Sequence, residues 1–308
     1  MNTKYSYGGE VLGLSQTTMK LKPIFVGNAF WFLGLAVLSV LLVIFTLWRK
    51  RDLKLAALYL ALGSIASYLE DVIYICFQSY EYYPQLLAVP YYDMTLGAYL
   101  SQVYYVSSVA LFIAAFNLGF IWIFFFTIMF VGIEYLFLAL KLYKLNWWSP
   151  AYTFFGLLIY FQIAKLWLPA IRKAQSRFIR FFTLSGINYI LFGNLIAFSI
   201  FSNHYHFSAG FFDDPARDTL AVILIFMLSR AFIIALTCVL RHNWAVMVSI
   251  LLFTWSTYFV LIRMNILAFH SKLDLLSLAA SDVVVPLICI YFNRKLSRSG
   301  GLTEFIKR

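Results

Sequence analysis

Nine long apolar stretches separated by short polar loops leave this chain few ways to fold. A helix that crosses a bilayer needs about 20 mostly apolar residues. By that measure the sequence predicts spans over residues 24–48, 55–78, 96–116, 118–140, 149–169, 181–201, 219–240, 245–268 and 275–293. The third and fourth are divided only by Asn117-Leu118-Gly119. Merged, they would form a run of about 45 residues, more than one pass can accommodate. The expected fold is all-α, a polytopic bundle of about nine spanning helices, because only structures that satisfy their own backbone can sit in lipid. A short segment over 1–23 precedes a single transmembrane domain over 24–293, and a basic cytoplasmic tail over 294–308 follows it.

Composition narrows the solvent. The chain is 63% hydrophobic and 12% charged, and a water-soluble domain carries about twice that charged fraction. The net charge of +11 would in a soluble protein point to nucleic acid. Here Lys and Arg sit in clusters between apolar runs, as topology-setting loops do. No stretch outside the spans is long enough for a nucleic-acid-binding module, so the expected partner is the lipid bilayer. Cys76, Cys238 and Cys289 lie in separate apolar segments without CxxC spacing, which gives neither a disulfide framework nor a zinc site. The first apolar stretch runs roughly 25 residues from Pro23 to Trp48, ahead of Arg49-Lys50-Arg51; it reads as a first span rather than a cleavable signal.

Basic residues set the expected orientation. Arg49, Lys50, Arg51 and Lys54 follow the first span; Arg172, Lys173, Arg177 and Arg180 follow the fifth; Arg294, Lys295, Arg298, Lys307 and Arg308 close the chain. With an odd number of passes these share one face, and roughly 14 basic residues lie there against about 7 opposite. Lys4, Lys20 and Lys22 dissent. The N-terminus is expected outside and the C-terminus in the cytoplasm. The outer loops then include Tyr80-Glu81-Tyr82-Tyr83-Pro84 and Pro90-Tyr91-Tyr92-Asp93, with Trp147-Trp148 nearby. Aromatics of this density read as head-group anchors, or as a lip over a cavity.

Charges inside the spans are the informative residues. Glu70, Asp71, Glu134 and Asp282 are acids at membrane depth, and Lys165, Arg230 and Arg263 are bases. At roughly 2.5–3.5 kcal/mol each, all seven facing lipid unpaired would cost about 20 kcal/mol, more than a typical folding stability. With Gln102, the set Glu70, Asp71, Glu134, Arg230, Arg263 and Asp282 forms the candidate substrate or ion site, clustered mostly in the outer half with Arg230 near the middle. Lys165 lies near an inner end, where its stem can snorkel. Gly63, Ser67 and Asp71 recur at four-residue intervals on one stripe, while Glu70 points about 100° away, so the acid pair addresses two neighbours. Pro286 frees the carbonyl of Asp282, either a kink or a cation site. The structural alternative for all these charges is a set of ion pairs fixing helix register, for example Asp282 with Arg263.

Weaker signals remain. Phe137-Leu138-Ala139-Leu140, Asn146-Trp147 and Lys165 parallel Ile233-Ile234-Ala235-Leu236, Asn243-Trp244 and Arg263 at an offset of about 96 to 98 residues, the pattern of an inverted repeat. His204-Tyr205-His206 before Asp213-Asp214 could hold a metal or simply be a solvated loop. No GxxxxGK[ST], HExxH or GxSxG is present. Glu70-Asp71 is similar to the paired-acid motif of the intramembrane prenyl-protein protease family. Ile75 stands where that motif carries arginine, which argues against a hydrolase.

Tyr92-Asp93 before a helix with Ser101-Gln102, then Ile133-Glu134-Tyr135-Leu136-Phe137, then Tyr143-Lys144-Leu145-Asn146-Trp147-Trp148, occur in order. Over residues about 30 to 170 the chain resembles a family of uncharacterised multi-pass membrane proteins of spore-forming Gram-positive bacteria. The resemblance implies a bacterial cytoplasmic membrane and brings no activity; nothing after Arg180 takes part in it. The function expected from the charges is a small secondary transporter or proton-coupled carrier for a small solute or proton, without cofactor. A non-enzymatic scaffold or sensor component is the competing class, and an enzyme on a lipid-borne substrate the third.

Overall fold

The computed structural model describes residues 27–173, 176–201, 204–240, 244–269 and 272–297. The segment 1–23, Asn243 and the tail beyond Ser297 lie outside them. Among the described residues nine helices are long and apolar enough to cross a membrane. They are α1 Asn28–Lys50, α2 Leu53–Cys76, α3 Pro90–Ala115, α4 Phe120–Ala139, α5 Pro150–Lys173, α6 Arg177–Phe201, α7 Pro215–Leu240, α8 Trp244–Arg263 and α9 Lys272–Ser297. Their outer faces carry Leu, Phe, Val and Ile, a surface fitted to lipid.

Helix ends moved where local chemistry outweighed hydropathy. α3 begins at Pro90, six residues before the apolar run, because proline at the first helical position loses no hydrogen bond. Asp93 then collects the loop behind it: its Oδ2 accepts from the Gln85 N–H at 2.8 Å, and its Oδ1 from Leu86 and Leu87 at 2.7 and 2.8 Å. α8 stops at Arg263, earlier than the apolar run to 268, because Leu267–Phe269 pairs as a strand. Between α3 and α4 Asn117 takes a left-handed φ of 51°, turning the chain within the tripeptide that hydropathy marked.

Two ribbons lie at the same end of the bundle. β1 Tyr80–Tyr82 pairs antiparallel with β2 Tyr143–Leu145, and β3 Tyr205–Phe207 with β4 Leu267–Phe269. On the first, Glu81 faces Lys144 at 3.0 Å. Burial pushes the Glu81 carboxyl up, but hydrogen bonds from Tyr83, Lys144 and Asn146 outweigh it and hold the group below its ordinary 4.5.

These ribbons expose a tandem repeat. Helices α2–α5 and α6–α9 form two units of four, displaced by about 125 residues. The second unit also starts a helix at a proline, Pro215, and Asp218 three residues on collects the loop behind it. Its Oδ2 accepts from Ala209 and Gly210 at 2.7 and 3.0 Å, its Oδ1 from Phe211 and Phe212 at 2.7 and 3.3 Å. Gln85 and Gly210 are left-handed at matching places, as are Lys141 and Asn265. The N–H of Tyr83 bonds the Leu142 carbonyl just as that of Ser208 bonds Ile266. The copies run parallel, so the inverted relation expected from the offset of about 96 to 98 residues is wrong.

The units meet where α2 packs on α6. Closeness there depends on Gly186: a Cβ would stand 2.3 Å from Ser64 Oγ and 2.9 Å from Ala61 Cα. The expected stripe of Gly63, Ser67 and Asp71 is only part of this contact, since Gly63 has ordinary clearance to Ile190 and Val103. Gly186→Ala is expected to lower stability by about 1–3 kcal/mol, read as a lower melting temperature of the purified protein. An unchanged melting temperature would show that the helices separate freely. Arg217 adds a second tie, donating from Nε to the Ile75 carbonyl at 2.8 Å and from Nη2 to Cys76 at 3.0 Å.

Candidate functional site

The polar residues expected to converge fall in three places, with Arg263 in none of them. The first is a cavity of about 200 Å³ lined by the helices and ribbon of the first unit. Glu70 of α2, Gln102 of α3 and Glu134 of α4 line it. α2 ends in a π-helical turn over Val72–Cys76, just past Glu70, and α3 carries another over Leu100–Val106 that includes Gln102. Such turns add a residue and re-aim side chains. Gln102 Nε2 donates to Glu70 Oε2 at 2.8 Å. Ser107 Oγ donates to the Gln102 carbonyl at 2.6 Å and meets Tyr160 Oη at 2.9 Å.

Neither acid has a basic side chain beside it among the lining residues. Glu70 is 6% exposed and Glu134 9%. Glu70 Oε1 and both Glu134 oxygens have no hydrogen-bond partner. The hydroxyls of Tyr80 and Thr153 approach Glu70 and Glu134 without completing a hydrogen bond. Among the described lining residues there is no Lys, Arg, His or Cys. Rings supply the rest: Tyr80 and Tyr82 from β1, Tyr143 from β2, Tyr105, Tyr152, Tyr160 and Trp148.

The ribbon roofs this cavity. Tyr80 and Tyr143 are buried, and the Tyr82 and Tyr143 rings meet at 4.7 Å between centroids. A Cβ on Gly97 would stand 2.5 Å from Tyr82 Cβ, so the ribbon sits directly on α3. Most of the loop tyrosines are thus interior groups rather than head-group anchors; Tyr91 and Tyr92 are buried as well. Trp147 is exposed and donates from Nε1 to the Phe77 carbonyl at 2.8 Å.

Compared with known proteins, the chain matches no family model, no curated protein and no solved structure.

The second place is the seam between units, where Tyr189 Oη of α6 donates to Asp71 Oδ2. Asp71 therefore leaves the cavity that its neighbour Glu70 enters. The third is the centre of the second unit. There Arg230 donates from Nε to Asp282 Oδ1 at 3.2 Å, from Nη1 to Asn188 Oδ1 at 2.9 Å and from Nη2 to the Ser281 carbonyl at 3.4 Å. Its guanidinium lies 4.0 Å from the centroid of Phe192, and Tyr258 Oη reaches Asp282 Oδ1 at 3.4 Å. The partner of Asp282 is thus Arg230 and not Arg263. Arg263 ends α8 on the surface, 5.1 Å from the Phe259 ring centroid, and takes no part in either centre. Lys165 donates to the Leu118 carbonyl at 2.7 Å. In the loop before α7, His204 Nδ1 lies 3.0 Å from Asp274 Oδ1. Among the described residues no group of three or more His, Cys, Asp or Glu could hold a metal.

The repeat aligns the two centres. By register Arg230 stands where the first unit has Tyr105, and Tyr258 where it has Glu134. One centre holds an acid answered by an arginine, beside a smaller cavity of about 100 Å³. The other is left with two acids around open space.

Proposed function

We propose that this is a multi-pass carrier for a small cationic solute in a bacterial cytoplasmic membrane, N-terminus outside and C-terminus inside. Glu70 and Glu134 bind either the solute or protons, and the second unit serves as the scaffold. What carries this reading is the pair of buried acids with unpartnered oxygens lining one cavity without a base. Such groups are costly at membrane depth and are kept where they meet a counter-ion, a proton or water. A proton or an ammonium group can each relieve them, and their exchange would couple the two. The orientation rests on the basic residues gathered opposite the ribbons, Arg49 to Lys54 and Arg172 to Arg180.

A scaffold reading suits the second unit alone, where Arg230 pairs with Asp282 through Oδ1. An enzymatic reading finds no histidine or cysteine among the cavity-lining residues.

The test is flux in proteoliposomes under an imposed pH gradient, using protonated amines as trial solutes. Glu134→Gln and Glu70→Gln are expected to keep normal protein levels and to lose about 10-fold or more of proton-coupled uptake. If both retain uptake, or if neither the parent nor the variants move charge or solute, the carrier reading falls.

A further inference from the structure

We propose that the cavity of the first unit takes an amphipathic amine, an ammonium head with an apolar tail, that enters sideways from the lipid rather than from the water. The inference rests on the carrier reading for its purpose but on separate geometry for its ligand and route.

The end of the cavity toward water is covered. Tyr80, Tyr82 and Tyr143 of the first ribbon line it, and Tyr80 and Tyr143 are buried. Its side is not covered. Leu69 of α2 lines the cavity and is 63% exposed on the outer surface, and Tyr152 of α5 lines it and is 52% exposed. Gly156, one turn from Tyr152, is also exposed, and a Cβ there would meet nothing within 4 Å. The mouth is therefore rimmed by groups that face the hydrocarbon, and a molecule passing it must tolerate lipid.

Polarity changes along that route. At the rim and wall stand Leu69, Ile73, Ile133 and Phe130; at the depth stand Glu70, Gln102 and Glu134. An apolar tail suits the first set. The two acids are acceptors: one Glu70 oxygen already takes the Gln102 amide, while its other oxygen and both of Glu134 have no hydrogen-bond partner. An ammonium group has three donors and no acceptor. Tyr105, Tyr160 and Trp148 line the space, and the faces of such rings attract a desolvated cation. A carboxylate-bearing ligand would bring like charge to these oxygens, and a neutral one such as an alcohol would bring a donor but no counter-charge.

The experiment uses the full chain in neutral-lipid nanodiscs, with empty nanodiscs as blank, and isothermal titration with n-octylamine, n-octanol and methylamine. Saturable octylamine binding is expected, at least about tenfold tighter than either partial probe, since each lacks one half of the recognition. Glu134→Gln is expected to weaken octylamine by about tenfold or more. Gly156→Phe fills the mouth and is expected to abolish binding; Leu69→Trp on the exposed rim is a second block should the first variant melt early. Equal binding of octanol overturns the ammonium assignment. Equal binding of methylamine overturns the tail and the side entry, while a cation site stands. Octylamine that binds as expected but is not carried in proteoliposomes supports this inference and removes the carrier reading.

Discussion

Arg230→Met is expected to eliminate most of the folded protein, while the double variant Arg230→Met with Asp282→Leu restores most of it. Arg230 is 6% exposed and Asp282 5%, and the guanidinium answers Asp282, Asn188 and the Ser281 carbonyl from α7. Removing it strands a buried carboxylate, and breaking one side of such a pair costs about 3–5 kcal/mol. Replacing both by apolar residues of similar volume removes the penalty with the pair, which is often neutral. The measurement is the fraction surviving as a monodisperse peak after extraction, with melting temperature alongside. A single variant as stable as the parent would mean that Asp282 is neutral or reaches water. An unrescued double variant would mean that the pair does more than fix register. No such rescue is expected between Asp282 and Arg263, which lie apart.

Asp218→Ala should come next in severity, and Asp93→Ala should reproduce it in the other unit. Asp218 takes four backbone N–H groups and Asp93 three, all from the loop that carries the chain from ribbon to helix. Each donor left unanswered costs about 1–3 kcal/mol when buried, and a negative charge in the first turn also favours the helix. Solvent will recover some of these donors, so a loss of about 2–4 kcal/mol is expected for each variant. Asn in place of Asp keeps one acceptor oxygen and should restore roughly half. The reading is protease sensitivity in the segments 83–90 and 208–215 together with the melting temperature. A variant that melts as the parent does would show that the loop holds itself.

The nine long helices among the described residues were legible because each is long and apolar enough to cross a membrane. Identity of the buried ionisable residues was equally plain, since Glu70, Glu134 or Asp282 cannot hide in an apolar run. Their grouping was not. Helical periodicity puts Glu70 and Asp71 on different faces but does not name the facing helix, and two π-helical turns shift α2 and α3 away from the ideal count. The pairing of Asp282 depended on which of two arginines lay on the adjacent helix, and the sequence offered no way to choose. The repeat went unseen for a different reason. Apolar segments resemble one another by chance at many offsets, whereas the informative match is sparse: Pro90 and Asp93 against Pro215 and Asp218. A search for proline and aspartate three residues apart at helix starts would have found it.

Parity follows from that arrangement. A block with an even number of passes brings the chain back to the face it left, so a second block can be appended through a link as short as 174–176 and still enter the same way round. Had the block held three or five passes, a copy made in frame would have been turned over. α1 stands outside the count, touching the first block through the Tyr105 hydroxyl on the Phe32 carbonyl. It alone makes the total odd, and so it alone puts the two ends of the bundle's chain on opposite faces.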